Sequence, residues 1–402
     1  MDLRTRVTVL SESADRDGPV GALMRPGDPV GITKVRYPGR GATRLMRVMQ
    51  TNACSLSCGY CPTFCGGKVR RTYLSPEEVA RVFMDAHRAG LADGLFLTSG
   101  VPGRPSRMTD RMLAAVELLR RREDFRGYVH LKLLPGAEPA QVDAAVRLAS
   151  RVSVNLEAPG PAYVRALASE KDFAGDLLPN LERAGRLMLE RRLAQMPSPF
   201  AAVGTTTQFV VGAAGEQDRE ILGVVTGLER RRLLHHAHFS AFQPVAGTPF
   251  EDRRPTPATR ELRLYQAEHL VRQYGFGYEE LVFGADGNLP LDDDPKTAWA
   301  FAHPERFPVE VSRAPYEILV RVPGIGPATA RALVQSRRRA VIRYSGDLRA
   351  AGVDVSRAGW FLTLRARRLA SSPPARQLRL FAHGEHLTQA PFRTPVPPCA
   401  YR

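Results

Sequence analysis

Residues 45–62 read LMRVMQTNACSLSCGYCP, and this stretch decides the fold. Its first part, Leu45–Gln50, is a mostly apolar run of strand length. Its second part crowds Cys54, Cys58 and Cys61 into one loop at C-x3-C-x2-C spacing. A 4Fe–4S cube takes one thiolate per iron, so three cysteines leave one iron open to a ligand that is not protein. An open iron is the argument for an enzyme. The competing metal reading recruits Cys65 as a fourth sulfur for a structural zinc. Zinc ribbons pair two C-x2-C units across a longer loop, and only one such pair is present here.

Working outward, strands and helices alternate. SPEEVARVFMDAHRAG offers Ser75 as an N-cap, Pro76 at the first helical position and Gly90 as a stop. GLFLTSG is a second strand, followed by a helix over 107–122. Further strands are expected at 128–134, 151–157, 205–212 and 236–243, with helices near 138–149, 176–192 and 216–231 between them. Six strands alternating with helices are the pattern of a parallel α/β sheet or barrel. In 152–157 the apolar Val152, Val154 and Leu156 alternate with Ser153, Asn155 and Glu157. In 128–134, His130 and Lys132 alternate with Val129, Leu131 and Leu133. Strands covered on both faces should be apolar throughout, so a polar stripe at period two points at a cavity or at a wet face.

Composition narrows the class. The 402 residues hold no apolar run of membrane-spanning length, and MDLRTRVTVLSESADRDG carries no apolar signal core, so a cytoplasmic location and no membrane partner are expected. The net charge of +16 is concentrated: residues 312–380 hold 14 Arg against 3 acidic residues. Such a block suits a surface that meets a polyanion. Arg outnumbers Lys 52 to 5 in the chain, a bias that explains Arg in place of Lys but not the scarcity of acids.

With these residues in view, the chain resembles the radical S-adenosylmethionine (radical SAM) superfamily. The resemblance rests on Cys54, Cys58 and Cys61, the aromatic Tyr60, and the strand–helix alternation over roughly 45–250. It implies a partial (β/α)6 barrel and an open iron chelated by SAM. A one-electron donor such as flavodoxin or ferredoxin would then drive reductive cleavage to a 5′-deoxyadenosyl radical. It also implies a SAM site residue by residue. The family's second strand ends Gly-Gly-Glu, where this chain has Thr98-Ser99-Gly100, leaving backbone contacts from Ser99 and Gly100. Asn155 and Glu157 match positions that meet the ribose or amino group. Val211 and Gly212 with Glu216 resemble the fifth-strand segment along the adenine, one residue long. Gln243 closes the sixth strand, and Lys132 is placed either on the SAM carboxylate or in a structural ion pair. No catalytic relay is assigned beyond Cys65, the one nearby thiol.

A second motif, LVRVPGIGPATARALVQSRR at 319–338, resembles the helix-hairpin-helix of DNA repair and replication proteins. Gly324, Ile325 and Gly326 form its turn. The amides opening the next helix, near Thr329, would meet a phosphate without reading sequence. Arg331, Arg337 and Arg338 follow. A hairpin used only for packing is the alternative. Both modules together resemble radical SAM proteins assigned to DNA modification or repair, which makes DNA the expected partner and RNA the rival one. A third possibility is a nucleic-acid-binding protein with a structural metal site. The expected organisation is an irregular arm (1–44), the barrel (45–250), a helix and linker (251–311), a small all-α hairpin domain (312–370) and a Pro-rich, disordered tail (371–402).

Overall fold

A computed structural model describes residues 1–15, 31–37, 40–194, 202–339 and 341–373. From residue 374 on, the Pro-rich tail lies outside the described residues. Among the described residues the chain divides into two compact units. The first comprises 1–216 and 227–257; the second comprises 217–226 and 258–373.

The first unit is built on a curled seven-stranded sheet in sequence order: β1 (Ile32–Tyr37), β2 (Arg40–Met49), β3 (Gly94–Thr98), β4 (Tyr128–Lys132), β5 (Arg151–Ser153), β6 (Gly204–Val211) and β7 (His236–Ala241). β1 pairs antiparallel to β2, and every later pairing is parallel. This is the expected partial barrel. Its helices are α1 (Leu3–Asp15), α2 (Pro76–Arg88), α3 (Pro105–Arg121), α4 (Pro139–Leu148), α5 (Pro161–Leu167) and α6 (Leu178–Leu193), with α7 (Asp218–Arg230) connecting β6 to β7. α2 starts as its sequence dictates. The Ser75 hydroxyl accepts from the Glu78 N–H, the Glu78 carboxylate accepts from the Ser75 N–H, and Pro76 opens the helix.

Two expectations are corrected here. The arm read as irregular contains α1 and β1, and β2 begins at Arg40. α1 is rich in Thr, Ser and Val, so propensity hides it; tertiary burial of Leu10 and Ala14, both fully covered, makes it a helix. β5 is also shorter than expected, because the chain leaves regular extension after Ser153 and Glu157 adopts φ +64°.

The second unit holds α8 (Ala258–Tyr274), α9 (Pro295–Ala302), α10 (Tyr316–Leu319), α11 (Pro327–Arg339), α12 (Ser345–Ala350) and α13 (Val355–Ala358). It is not all-α. β8 (Val309–Glu310), β9 (Leu362–Leu364) and β10 (Arg367–Arg368) form a small mixed sheet. Trp299 sits in its core, 1% exposed, beside Phe276 and Phe307. Glu310 closes the β9–β10 turn, accepting from the N–H of Arg365 (3.2 Å) and Ala366 (3.0 Å) and from the Ser312 hydroxyl (2.6 Å). Burial alone would raise its carboxyl, but these bonds hold it at about 2. A depressed acid stabilises the fold above the unfolded carboxyl range, near ~4.3, and that contribution fades as pH falls toward 2. Glu310→Gln should therefore cost about 2 kcal/mol at neutral pH and flatten the acid limb of stability. Urea unfolding of both proteins between pH 2 and 7 checks this; parallel curves would contradict it.

Candidate active site

The C-terminal ends of the parallel strands surround a cavity of about 610 Å³. The loop after β2 brings Cys54, Cys58, Tyr60 and Cys61 to its wall. The ends of β3, β4 and β5 bring Ser99, Gly100, Lys132, Asn155 and Glu157, and the end of β7 brings Gln243. Residues far apart in sequence are thus gathered at one site. Val211 and Gly212 are not on the wall. Strand alternation turns Gln208 and Val210 inward instead, and fully buried Val211 faces away. Glu216 accepts from the Gly212 and Ala214 N–H groups, so it staples the turn that follows β6.

The cysteine loop is sutured on several sides. Ser55 binds the Val101 carbonyl through its N–H (2.8 Å) and its hydroxyl (2.6 Å). Ser57 donates to the Glu170 carboxylate through both its N–H (3.1 Å) and its hydroxyl (2.7 Å). The Arg71 guanidinium reaches four carbonyls, those of Asn52, Thr63, Phe64 and Gly67. Gly100 lies so close to the loop that a Cβ there would fall 2.3 Å from the Ala53 carbonyl oxygen. Only glycine permits that approach.

At the wall, Lys171 links three elements. Its ammonium is 2.9 Å from a Glu157 carboxylate oxygen and 3.2 Å from the Tyr60 hydroxyl, and the Lys171 and Glu157 side chains are each 6% exposed. Burial pulls the lysine down, but the Cys58 sulfur and the Glu157 carboxylate outweigh it and hold Lys171 well above the usual range. Burial pushes Glu157 up, yet Lys171 and Lys132 keep its carboxyl below normal. Tyr60 is raised well above its ordinary value, first by burial and then by Glu157. The strain of a left-handed glutamate at a cavity wall suits a residue held in place by its partners.

Below this level the inner face carries one register row across four strands: Arg47, Phe96, His130 and Arg151. His130 bonds the Ser153 hydroxyl at 2.9 Å, and burial drives its pKa well below the usual value. The period-two stripe is therefore the lining of a barrel interior.

Cys54, Cys58 and Cys61 carry free thiols. Cys65, the fourth sulfur of the zinc alternative and the relay candidate, is half-buried in the same loop, and its N–H donates to the Leu56 carbonyl at 2.9 Å. A tetrahedral zinc gathers its ligands on one ion, whereas a cube takes its thiolates on separate irons. Burial pushes the Cys58 thiol up to about 12 despite the nearby Lys171, so ligation must displace its proton. Asn155 supplies the complementary observation. Its side-chain N–H2 is buried at the cavity wall without a hydrogen-bond partner, a vacancy that a polar ligand would fill. The residues present fit a 4Fe–4S cluster with SAM.

The family profile described as the radical SAM superfamily matches residues 48–224. The chain carries a radical SAM domain. Proteins of this superfamily use a 4Fe–4S cluster and SAM, as the cysteines here require. Similar solved structures include HydG, a maturase of the FeFe-hydrogenase, at 12% identity over 55% of this chain and 48% of that one, with a TM-score of 0.43. HydG from Carboxydothermus hydrogenoformans shares 14% over 56% and 50%, TM-score 0.43. Methylornithine synthase (PylB) shares 16% over 54% and 59%, TM-score 0.42. The chain spans about half the length of the two HydG chains. No curated protein matches it. Among the described residues no helix is long and apolar enough to cross a membrane.

In the second unit, α10 and α11 flank the Pro323–Gly326 turn, where Gly324 takes φ +81°. The first bond of α11 runs from the Ala330 N–H to the Gly326 carbonyl (2.8 Å), leaving the N–H groups of Gly326, Ala328 and Thr329 outside the helical ladder. Ile325 is buried, and its carbonyl accepts from buried Lys296 at 2.5 Å. Arg331 and Arg338 are exposed. Arg337, expected on the nucleic-acid face, instead donates to the Ala314 (2.7 Å) and Val311 (3.2 Å) carbonyls. Its reach from one helix turn to a nearby loop serves packing.

Lys171, Glu170, Arg71, Gln208 and the α1 residues were not singled out by sequence reasoning. Glu170-Lys171-Asp172 looks like a solvated charge run, and only the fold shows which of the three turn inward.

Proposed function

We propose that this radical SAM enzyme acts on DNA, repairing or modifying a nucleotide, with the helix-hairpin-helix around Pro323–Gly326 gripping the backbone. The observation that carries the reading is the set of unladdered amides at Gly326, Ala328 and Thr329, next to exposed Arg331 and Arg338 in a strongly basic segment. Amides and a helix dipole of this kind hold phosphate irrespective of sequence. Within the barrel, Cys54, Cys58 and Cys61 would hold three irons. The Ser99–Gly100 backbone, Lys132, Asn155, Glu157 and Gln243 would orient SAM. Together, cluster and SAM supply hydrogen-atom abstraction through reductive SAM cleavage, with the electron coming from a donor such as flavodoxin or ferredoxin. The protein's own share is positioning and exclusion of water. A duplex does not enter a cavity of about 610 Å³, so the target base would reach it flipped or single-stranded.

Competition between duplex DNA and structured RNA of equal length tests the partner. DNA is expected to win, and RNA winning would move the activity to RNA. Arg331→Gln should weaken binding alike on all sequences and lower the salt slope by about 1. An unchanged slope would take Arg331 off the phosphate.

A further inference from the structure

The cavity has a wall that the parallel strands do not supply. Glu12 and Ser13 of α1 line it together with the strand ends. α1 is firmly moored. Arg6 donates to the Tyr73 carbonyl (2.9 Å) and to both oxygens of Glu78 (2.6 and 3.0 Å). Arg47 donates to the Ala14 carbonyl (3.2 Å). Leu10 and Ala14 are fully buried. Side chains on such a helix are held where they are before anything binds, which lowers the entropic cost of using them.

Two carboxylates line the cavity, and they differ. Glu157 is spent on Lys171. Glu12 is exposed at the rim and makes no hydrogen bond or ion pair among the described residues. A carboxylate only accepts hydrogen bonds, and it repels phosphate and keto oxygens. It therefore selects a donor.

We propose that Glu12 is a specificity-determining residue for the substrate, accepting a hydrogen bond from the exocyclic amino group of the entering base. Adenine, cytosine and guanine carry such a group; thymine carries none, and its exposed edge presents two keto oxygens flanking a single N3–H. This rests on the DNA reading above. Glu12 belongs to the substrate side because it sits at the open rim on a helix outside the strand–helix alternation, whereas the SAM-matching residues lie on the strand-end loops.

The test uses the full-length, cluster-loaded protein and three duplexes that differ in one central unpaired base: A, C or T. Affinity is read by fluorescence anisotropy, and 5′-deoxyadenosine is measured under reducing conditions. The wild-type protein should favour A or C over T about tenfold. Glu12→Gln should shrink that preference, and Glu12→Leu should erase it. A preference that survives in Glu12→Leu would overturn the proposal while leaving the DNA reading intact. Absence of binding to all three duplexes would bring down both. SAM should still perturb the cluster's electron paramagnetic resonance signal in Glu12→Leu. Loss of that perturbation would assign Glu12 to SAM and defeat the proposal.

Discussion

Cys58→Ala protein is expected to purify folded, to hold no intact 4Fe–4S cluster, and to form no 5′-deoxyadenosine above background. The thiol is 6% exposed, so its removal leaves a small buried gap and the loop keeps its other sutures from Ser55, Ser57 and Arg71. What disappears is one of three ligands on a cube that already lacks a fourth protein ligand. Iron and sulfide analysis with the visible absorption of the reconstituted protein reads the first effect, and chromatography reads the second. Retention of a full cluster in the variant would mean that another group ligates the iron.

Lys171→Met should be the most damaging single change outside the cysteines. The methionine fills much of the same space, but Glu157 is left buried with its ammonium partner gone. Breaking a buried pair from one side costs about 3–5 kcal/mol, far more than the net worth of the intact pair. The loss should appear as a lower urea midpoint of the barrel. Adding Glu157→Gln should recover part of it, because the orphaned charge is removed. The double variant tells a stability effect from a site effect. If Lys171 only props up the fold, rescue of the midpoint should also rescue SAM's effect on the cluster signal. If Lys171 and Glu157 position Tyr60 beside the cluster, stability returns and that effect does not. No loss of stability in Lys171→Met would contradict the pairing itself.

The barrel was legible because its signals are local. Ser75 and Pro76 announce α2, Gly90 marks its stop, and β3 is a short apolar run. The polar stripe was legible as well, since His130, Lys132, Asn155 and Glu157 fall at the spacing of one strand face. α1 was hidden because its Thr, Ser and Val content argues against a helix, and β1 because it lies in a Gly- and Pro-rich stretch. Lys171 was hidden for another reason. A charged residue beside Glu170 and Asp172 reads as surface, and its burial follows from Glu157 and Tyr60, 14 and 111 residues away. Arg337 failed in the opposite direction. It stands in a basic run, yet its guanidinium satisfies carbonyls of its own unit. Charge patterning gives the sign of a segment and not the duty of each member.

The central claim joins radical SAM chemistry to DNA. Its most direct test is anaerobic: reconstituted protein, SAM and dithionite, with 5′-deoxyadenosine quantified as DNA is added. The expected result is a yield that rises with DNA and saturates. A yield that is present but indifferent to DNA would keep the radical SAM enzyme and contradict its substrate.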